Sequence, residues 1–323
     1  MRRAVLSWVA IGILFVTACA FSVTAVRADL YSPGAFVRSY LDALARGDAE
    51  SALAMPGVRP GAGQGATADD TLLLTAALGT IDDIRVVDET TTSTGEHTVL
   101  AEVSLDSAGT TRTTFHVQPG AAILGLFPTW RFSESPLATL LLAASGDDTL
   151  TVNDQPLELS GDAEYFVFAP GSYRLDRETT WLEAADVRVA VTEAGTITGA
   201  ALDIRANAAF RAAASRFIDA ALDECAEQQV LQPTGCPFGR VVTDRVSGEV
   251  SWSIAEYPVV TLSPGDHAGE WTATAAQGRA ALAVPVQSLF TGDESTLDAT
   301  VSISAEYDIL LAPDNTFTIG AAG

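Results

Sequence analysis

The stretch Tyr31-Ser-Pro-Gly-Ala-Phe-Val-Arg-Ser-Tyr-Leu-Asp-Ala-Leu-Ala-Arg-Gly-Asp-Ala-Glu-Ser-Ala-Leu-Ala54 decides how the rest of the chain is read. Ser32 is a helix-capping residue and Pro33 suits the first helical position. Phe36, Val37, Tyr40, Leu41 and Leu44 follow at three- and four-residue spacing, so one stripe of a helix is apolar. Gly47-Asp48 interrupts that helix, and Asp48 can cap a second, short one over Ala49–Ala54. Pro56 to Gly65 reads as loop. Asp69 or Asp70 can cap a third helix through Leu78, ended by Gly79.

Beyond this point the apolar period changes from 3.6 to 2. Strands are predicted over Ile81–Glu89, His97–Leu105, Thr110–Gln118 and Trp130–Ser133, with hairpin turns at 91–95 and 106–109. Helices followed by an antiparallel sheet give an α+β order. Ser135-Pro136 marks a boundary. Residues 137–195 read as short strands without helix, a small all-β sandwich. Gly195–Gly199 reads as a linker. Ala201 to Leu231 is the longest helical stretch, with Phe210, Ala214, Phe217, Ile218, Ala221, Leu222 and Cys225 on one face. Strands follow at 241–245, 250–255, 259–262, 271–275, 279–286, 298–304 and 316–319. This repeats the order of the first unit, either by internal duplication or as an unrelated α+β domain.

The chain has 323 residues, 41 acidic and 18 basic, for a net charge of −23; every basic residue is Arg. That balance excludes nucleic acid as a partner, because phosphate binding needs clustered cations, and it excludes an electrostatic grip on anionic lipid. With 48 % hydrophobic and 18 % charged residues the chain can bury a sizeable core.

Met1-Arg2-Arg3 precedes an uncharged run from Ala4 to Val26, long enough as a helix to cross a bilayer. Arg2 and Arg3 would stay cytoplasmic, which places the body outside the cell membrane as a single-pass protein. Two other readings stay open. Val16-Thr17-Ala18-Cys19 resembles a lipobox, which would make Cys19 an acylated N-terminus, and Val23-Thr24-Ala25 is a weak cleavage site. Cys225 and Cys236, an even pair beyond the cytosol, read as a disulfide. The expected organisation is a transmembrane anchor over 1–29, an α+β domain over 30–135, a small β-sandwich over 136–196 and a second α+β domain with the disulfide over 197–323.

The run Tyr31–Ala54, with its Gly-Asp break, resembles the opening helix of NTF2-like domains, in which such a helix precedes a strongly curved sheet forming a cone. Ala208–Phe238 has the same look. Asn153-Asp154 and Pro170-Gly171-Ser172-Tyr173 resemble the small β-domains of membrane-anchored envelope proteins related to the teicoplanin-resistance-associated family. The Arg-only basic complement and high Ala content are similar to those of actinobacterial proteins. The resemblance implies two NTF2-like domains flanking a β-sandwich, outside the cell. That family typically carries a cytoplasmic zinc ribbon before the anchor, where this sequence has three residues.

No catalytic, cofactor-binding or metal-ligating set is expected. His97 and His116 lie in adjacent predicted strands but lack further ligands, and His267 reads as an exposed turn. No Gly-x-Ser-x-Gly elbow, Walker loop or dinucleotide fingerprint occurs. The acidic pairs Asp69-Asp70, Asp82-Asp83, Asp147-Asp148 and Asp293-Glu294 are poor candidates for a glycosidase pair, because strand neighbours point to opposite faces, and they read as solvated turns and helix caps. Trp130 and Trp252 are expected in cores. The expected function is non-catalytic binding or scaffolding by an exported envelope protein, with a second envelope protein or a cationic ligand as partner. The alternatives are a small-molecule-binding or isomerase/hydrolase-type enzyme in an NTF2-like cone, and an accessory regulator of a membrane partner.

Overall fold

The computed structural model describes residues 31–60, 69–74, 81–122, 128–161 and 163–321. The segment 1–29, with Cys19, lies outside them. Among the described residues no helix is long and apolar enough to cross a membrane. The chain is mixed α+β and mostly sheet, and it divides into two compact units. The first holds residues up to Ala143, Leu150–Leu175 and Asp186–Ala201; the second holds Ala144–Thr149, Asp176–Ala185 and Leu202–Gly323.

In the first unit, α1 (Pro33–Ala45) begins where the Ser32 hydroxyl accepts from the Ala35 N–H at 3.0 Å. It ends in a Schellman closure. Gly47, at φ 68°, donates to the Leu44 carbonyl, and the Asp48 N–H reaches the Ala43 carbonyl, both at 2.9 Å. Asp48 then caps α2 (Ala49–Leu53), its Oδ1 accepting from Ser51 N–H at 3.0 Å. The Gly-Asp break is thus the end of one helix and the start of the next. Asp69 caps α3 (Thr71–Leu74), accepting from the Thr71 N–H at 2.7 Å.

Four antiparallel strands, β1 (Ile81–Thr91), β2 (His97–Leu105), β3 (Gly109–Pro119) and β4 (Trp130–Phe132), form one sheet in sequence order. Val99, Ala101, Val103 and Leu105 of β2 and Phe115 and Val117 of β3 face α1 and bury Val37, Tyr40, Leu41 and Leu44. Irregularities at Asp82/Arg85 and Val86/Asp88 break the β1 register, and bulges of this kind curl a sheet around a helix.

Seven strands follow: β5 (Leu137–Ser145), β6 (Thr149–Val152), β7 (Gln155–Glu158), β8 (Ala163–Phe168), β9 (Gly171–Glu178), β10 (Leu182–Val191) and β11 (Ile197–Asp203). One sheet is ordered β11-β5-β8. Leu137, Phe166 and Phe168 belong to the same core as α1, so β5 and β8 complete the first unit's interior. Gly195–Gly199, read as a linker, instead carries the start of β11.

In the second unit the helix is α4, Ala208–Ala226, shorter at both ends than the predicted 201–231. Residues 201–203 belong to β11. Arg205–Ala206 forms β12, which pairs with Leu182 and Glu183, and the Asn207 side chain caps α4 by accepting from Phe210 N–H at 3.0 Å. Sheet pairing therefore takes residues whose sequence alone does not bar a helix. Beyond α4, β13 (Arg245–Val246), β14 (Ser251–Glu256), β15 (Val259–Pro264), β16 (Glu270–Gln287), β17 (Glu294–Leu311) and β18 (Phe317–Ala321) make a six-stranded antiparallel sheet. The strand predicted over 241–245 is reduced to the β13 bridge.

The strands predicted at 271–275 and 279–286 are one strand, β16. Its register against β17 slips by one residue at Gln277-Gly278, where Gln277 has φ 67°. β14 and β15 pair in succession with the other edge of β16, interrupted at Tyr257-Pro258 beside this bulge. Gly278 is required there: a Cβ would sit 3.0 Å from Ile303 Cβ and 3.1 Å from Pro258. The buried face of β16 alternates Trp271, Ala273, Ala275, Ala280, Leu282, Val284 and Val286. On α4, Phe210, Ala214, Ile218 and Leu222 are buried, and the Phe210 ring meets Trp271 of β16 at 5.8 Å.

Tyr40 tests the first core. It is fully buried, with its ring 5.3 Å from Phe132 and 6.0 Å from Phe115. Its Oη lies 2.9 Å from the Pro136 carbonyl oxygen and 3.1 Å from that of Ala169. Tyr40→Phe keeps the ring and strips both carbonyls of this donor. It is expected to lower stability by about 1–3 kcal/mol, read as a lower midpoint in equilibrium urea denaturation; an unchanged midpoint would show that the bond contributes nothing net.

Candidate functional site

The histidines do not converge. His97 pairs with Val117 and Thr98 with His116, so the two imidazoles stand on opposite faces of the first sheet. His267 sits in the exposed turn before β16. His97 instead joins a polar cluster at the start of α1. Its Nδ1 lies 3.1 Å from Thr91 Oγ1 and 3.6 Å from Glu89 Oε1, and its ring meets Trp130 edge-on at 4.7 Å. Glu89 Oε2 accepts from the Gly34 N–H at 3.2 Å, a carboxylate at the positive end of the helix. Trp130 Nε1 donates to the Tyr31 carbonyl at 2.8 Å. These bonds fasten the first turn of α1 to the sheet, which is a structural use of groups that elsewhere do acid–base work.

The interior behind this cluster is packed with Tyr40, Phe115, Phe132 and Phe168. Burial raises the Tyr40 phenol well above its ordinary range, with Tyr173 nearby adding to the effect. Tyr173 is also raised by burial, and its hydroxyl donates to the Phe168 carbonyl at 2.8 Å. Both phenols stay neutral and act as hydrogen-bonded core groups.

In the second unit, Ser215, Asp219 and Asp223 lie at four-residue spacing along α4. The Tyr257 hydroxyl donates to Asp223 Oδ1 at 2.6 Å, and Ser215 Oγ stands 3.5 Å from Asp219 Oδ2. Asp219 Oδ1 is buried without a hydrogen-bond partner. Desolvation, then the neighbouring Asp223, raises the Asp219 carboxyl, and the bond to Asp223 raises the Tyr257 phenol. The i, i+4 pair of aspartates beside an apolar stripe was the available sequence signal for this cluster.

Cys225 and Cys236 form the expected disulfide, with Cα atoms 5.8 Å apart. It closes the end of α4 onto the 233–237 turn. Gln228 completes the closure, its Oε1 accepting from Thr234 N–H at 2.9 Å, while Trp252 Nε1 donates to the Val230 carbonyl at 2.8 Å. Trp252 is buried, as expected, and Trp130 is half-buried against the first core.

Two concavities among the described residues lie along the six-stranded sheet. A groove of about 680 Å³ is lined by Asp266, Glu270, Thr272, Asp308, Leu310 and Thr318, among others. A shallower trough of about 270 Å³ runs over Ser251, Ser253, Ala281, Ala283, Asp298 and Thr300. Cross-strand register sets Thr272 opposite Asp308, Thr274 opposite Glu306 and Ala283 opposite Asp298, which puts the carboxylates among small side chains. Arg279 lies on this face and is paired with Glu256 at 3.4 Å. Among the described residues no three His, Cys, Asp or Glu side chains converge as a metal site. The arrangement offers an acidic, gently concave surface with short side chains, suited to holding cationic groups. Comparison with protein-family models, with curated proteins and with solved structures gives no match.

The Asp219 environment yields a signed expectation. Its carboxyl pKa is higher in the folded than in the unfolded chain, so folding favours its protonated form. Its ionisation costs stability at neutral pH, and that cost fades as pH falls through the raised value toward the ordinary carboxylate range near 4. Asp219→Asn is expected to raise the Tm at pH 7 and to lose this advantage near pH 4. An equal effect at both pH values would assign the change to packing instead.

Proposed function

We propose that this chain is a non-catalytic, membrane-anchored protein of the cell envelope, whose exported NTF2-like domains bind cationic partners. The observation that carries the reading is the acidic outward face of the six-stranded sheet, with its groove of about 680 Å³, in a chain of net charge −23. Such a field attracts cations over a Debye length and repels anionic polymers and nucleic acid. A disulfide at the end of α4 fits an oxidising compartment outside the cytosol. The uncharged run Ala4–Val26 after Arg2-Arg3 fits an uncleaved anchor with the body outside. A helix buried by one curled sheet in each unit supports the NTF2-like reading. The aromatic packing of the first unit favours binding over catalysis in a cone, and the same surface serves an accessory role beside a membrane partner.

Two measurements test this. The full chain should bind nona-arginine and not nona-glutamate, with affinity falling steeply as salt rises; salt-insensitive binding, or equal binding of the anionic peptide, would overturn the reading. Cys19→Ser should leave the protein in the membrane fraction after carbonate washing. Release of that variant would make the protein a lipoprotein held by an acyl chain at Cys19.

A further inference from the structure

β17 is paired with β16 along its whole length, from Glu294 to Leu310. On its other side β18 covers only Tyr307 to Leu311. Among the described residues no strand pairs with the outer edge of 294–306. That edge is about 40 Å long at about 3.3 Å per residue, and its outward backbone groups have no strand to bond to.

Proteins usually blunt such an edge with bulges, proline or lysine. The free edge of β1 follows that rule, with two register irregularities and Asp83 at φ 51°. The β17 edge does not. Residues 294–306 hold no Pro, Gly, Lys or Arg, and their register with β16 is continuous from Glu294 to Ile303. The single irregularity of this pair puts its extra residue in β16. Along the edge, Leu297, Ala299, Val301 and Ile303 face inward. Ile303 is 1 % exposed, and the other three are only half-buried. In the turn that feeds the edge, Leu289 is 73 % and Phe290 98 % exposed.

Charge selects the occupant. Glu294, Asp298 and Glu306 share the outward face of β17, with no cation on the strand. A second copy pairing here would bring carboxylates against carboxylates, which destabilises cross-strand pairs. An extended segment alternating β-branched apolar residues with Arg or Lys fits both faces. Its apolar side chains would cover Leu297, Ala299 and Val301, and its cations would meet the carboxylates. We propose that residues 294–306 form a β-augmentation site, which takes such a basic, extended segment of a partner protein as an added strand. This rests on the cationic-partner reading above and specifies how the partner is held.

The probe is the acetylated, amidated nonapeptide Arg-Val-Arg-Val-Thr-Val-Arg-Val-Arg, added to the detergent-solubilised full chain. Two isomeric sets of N-methylated versions, blocking alternate N–H groups, and nona-arginine serve as comparisons. The peptide should slow deuterium exchange within 294–306 and leave 307–311, already paired, unchanged. One N-methylated set should bind about tenfold more weakly than the other, because only alternate N–H groups enter the ladder. The combined variant Glu294→Gln, Asp298→Asn, Glu306→Gln should weaken binding several-fold at low salt, and Phe290→Ala should weaken it less. Binding without protection of 294–306, or equal affinity for both N-methylated sets, would overturn the edge site while leaving the cationic-partner reading intact. Failure of nona-arginine and the nonapeptide alike would remove both. Protection of 294–306 that appears on raising protein concentration alone, together with dimers in sedimentation, would assign the edge to a second copy.

Discussion

Each unit rests on one constraint: the apolar stripe of its longest helix must be buried against an antiparallel sheet. A flat sheet covers a helix poorly, so the sheet has to curl, and bulges supply the curl. In the first unit the irregularities fall in β1, opposite the central strand whose Val99, Ala101 and Val103 meet α1. In the second the bend is at Gln277-Gly278. There the inward face of β16 also carries small side chains, with Ala273, Ala275 and Ala280 fully buried. Packing of this kind leaves little tolerance, since deleting or adding one methylene in a dense interior is felt as cavity or strain.

Polar groups at the margins of these cores are used to fix the helices. Glu89, His97 and Trp130 hold the first turn of α1, and Tyr40 bonds the carbonyls of Pro136 and Ala169 from inside. At the far end of the second helix the disulfide and the Gln228 side chain close the chain back on itself. A loop of that length contributes about 2–3 kcal/mol by restricting the unfolded chain. Trp271 is an exception. Its Nε1 is buried without a partner, at a cost of about 1–3 kcal/mol. Its ring packs edge-on against Phe210 at 5.8 Å, and Phe210 in turn meets Trp181 and Phe317. The aromatic cluster offsets the missing bond by area and ring geometry.

Where local periodicity and tertiary demand agree, the elements were readable from residues alone. The stripe from Phe36 to Leu44, the Gly47-Asp48 junction, the alternation of β2 and β3 and the Cys225–Cys236 pair are of this kind. Gln277-Gly278 reads locally as a turn, because a left-handed residue followed by glycine is what a turn needs. Only the pairing of β17 across it reveals a bulge in one long strand. The start of α4 failed for the complementary reason. Residues 201–206 carry no local signal against helix, but 201–203 are taken by β11 beside β5, and Arg205-Ala206 by pairing to Glu183 and Leu182, distant in sequence. The acidic sheet face was invisible in the sequence because its carboxylates come from Asp266 to Asp308 and meet only through register. Adjacent acidic pairs, by contrast, dispersed: Asp69 caps a helix and Asp147 pairs with Arg177.

The distribution of arginine decides where the surplus charge is felt. Arg112, Arg174, Arg177, Arg188, Arg205 and Arg279 are each engaged by a carboxylate of the chain itself. The least exposed pair, Arg177–Asp147, has side chains 24 % and 12 % exposed and is the one least screened by salt. The others are solvated and contribute little to stability. Their effect is to neutralise particular acids locally, as Arg279 does for Glu256. The carboxylates of β17, on a strand without a cation, keep their field. That field acts twice: it keeps two copies of an unblunted edge apart, and it leaves the same edge open to a strand of the opposite charge.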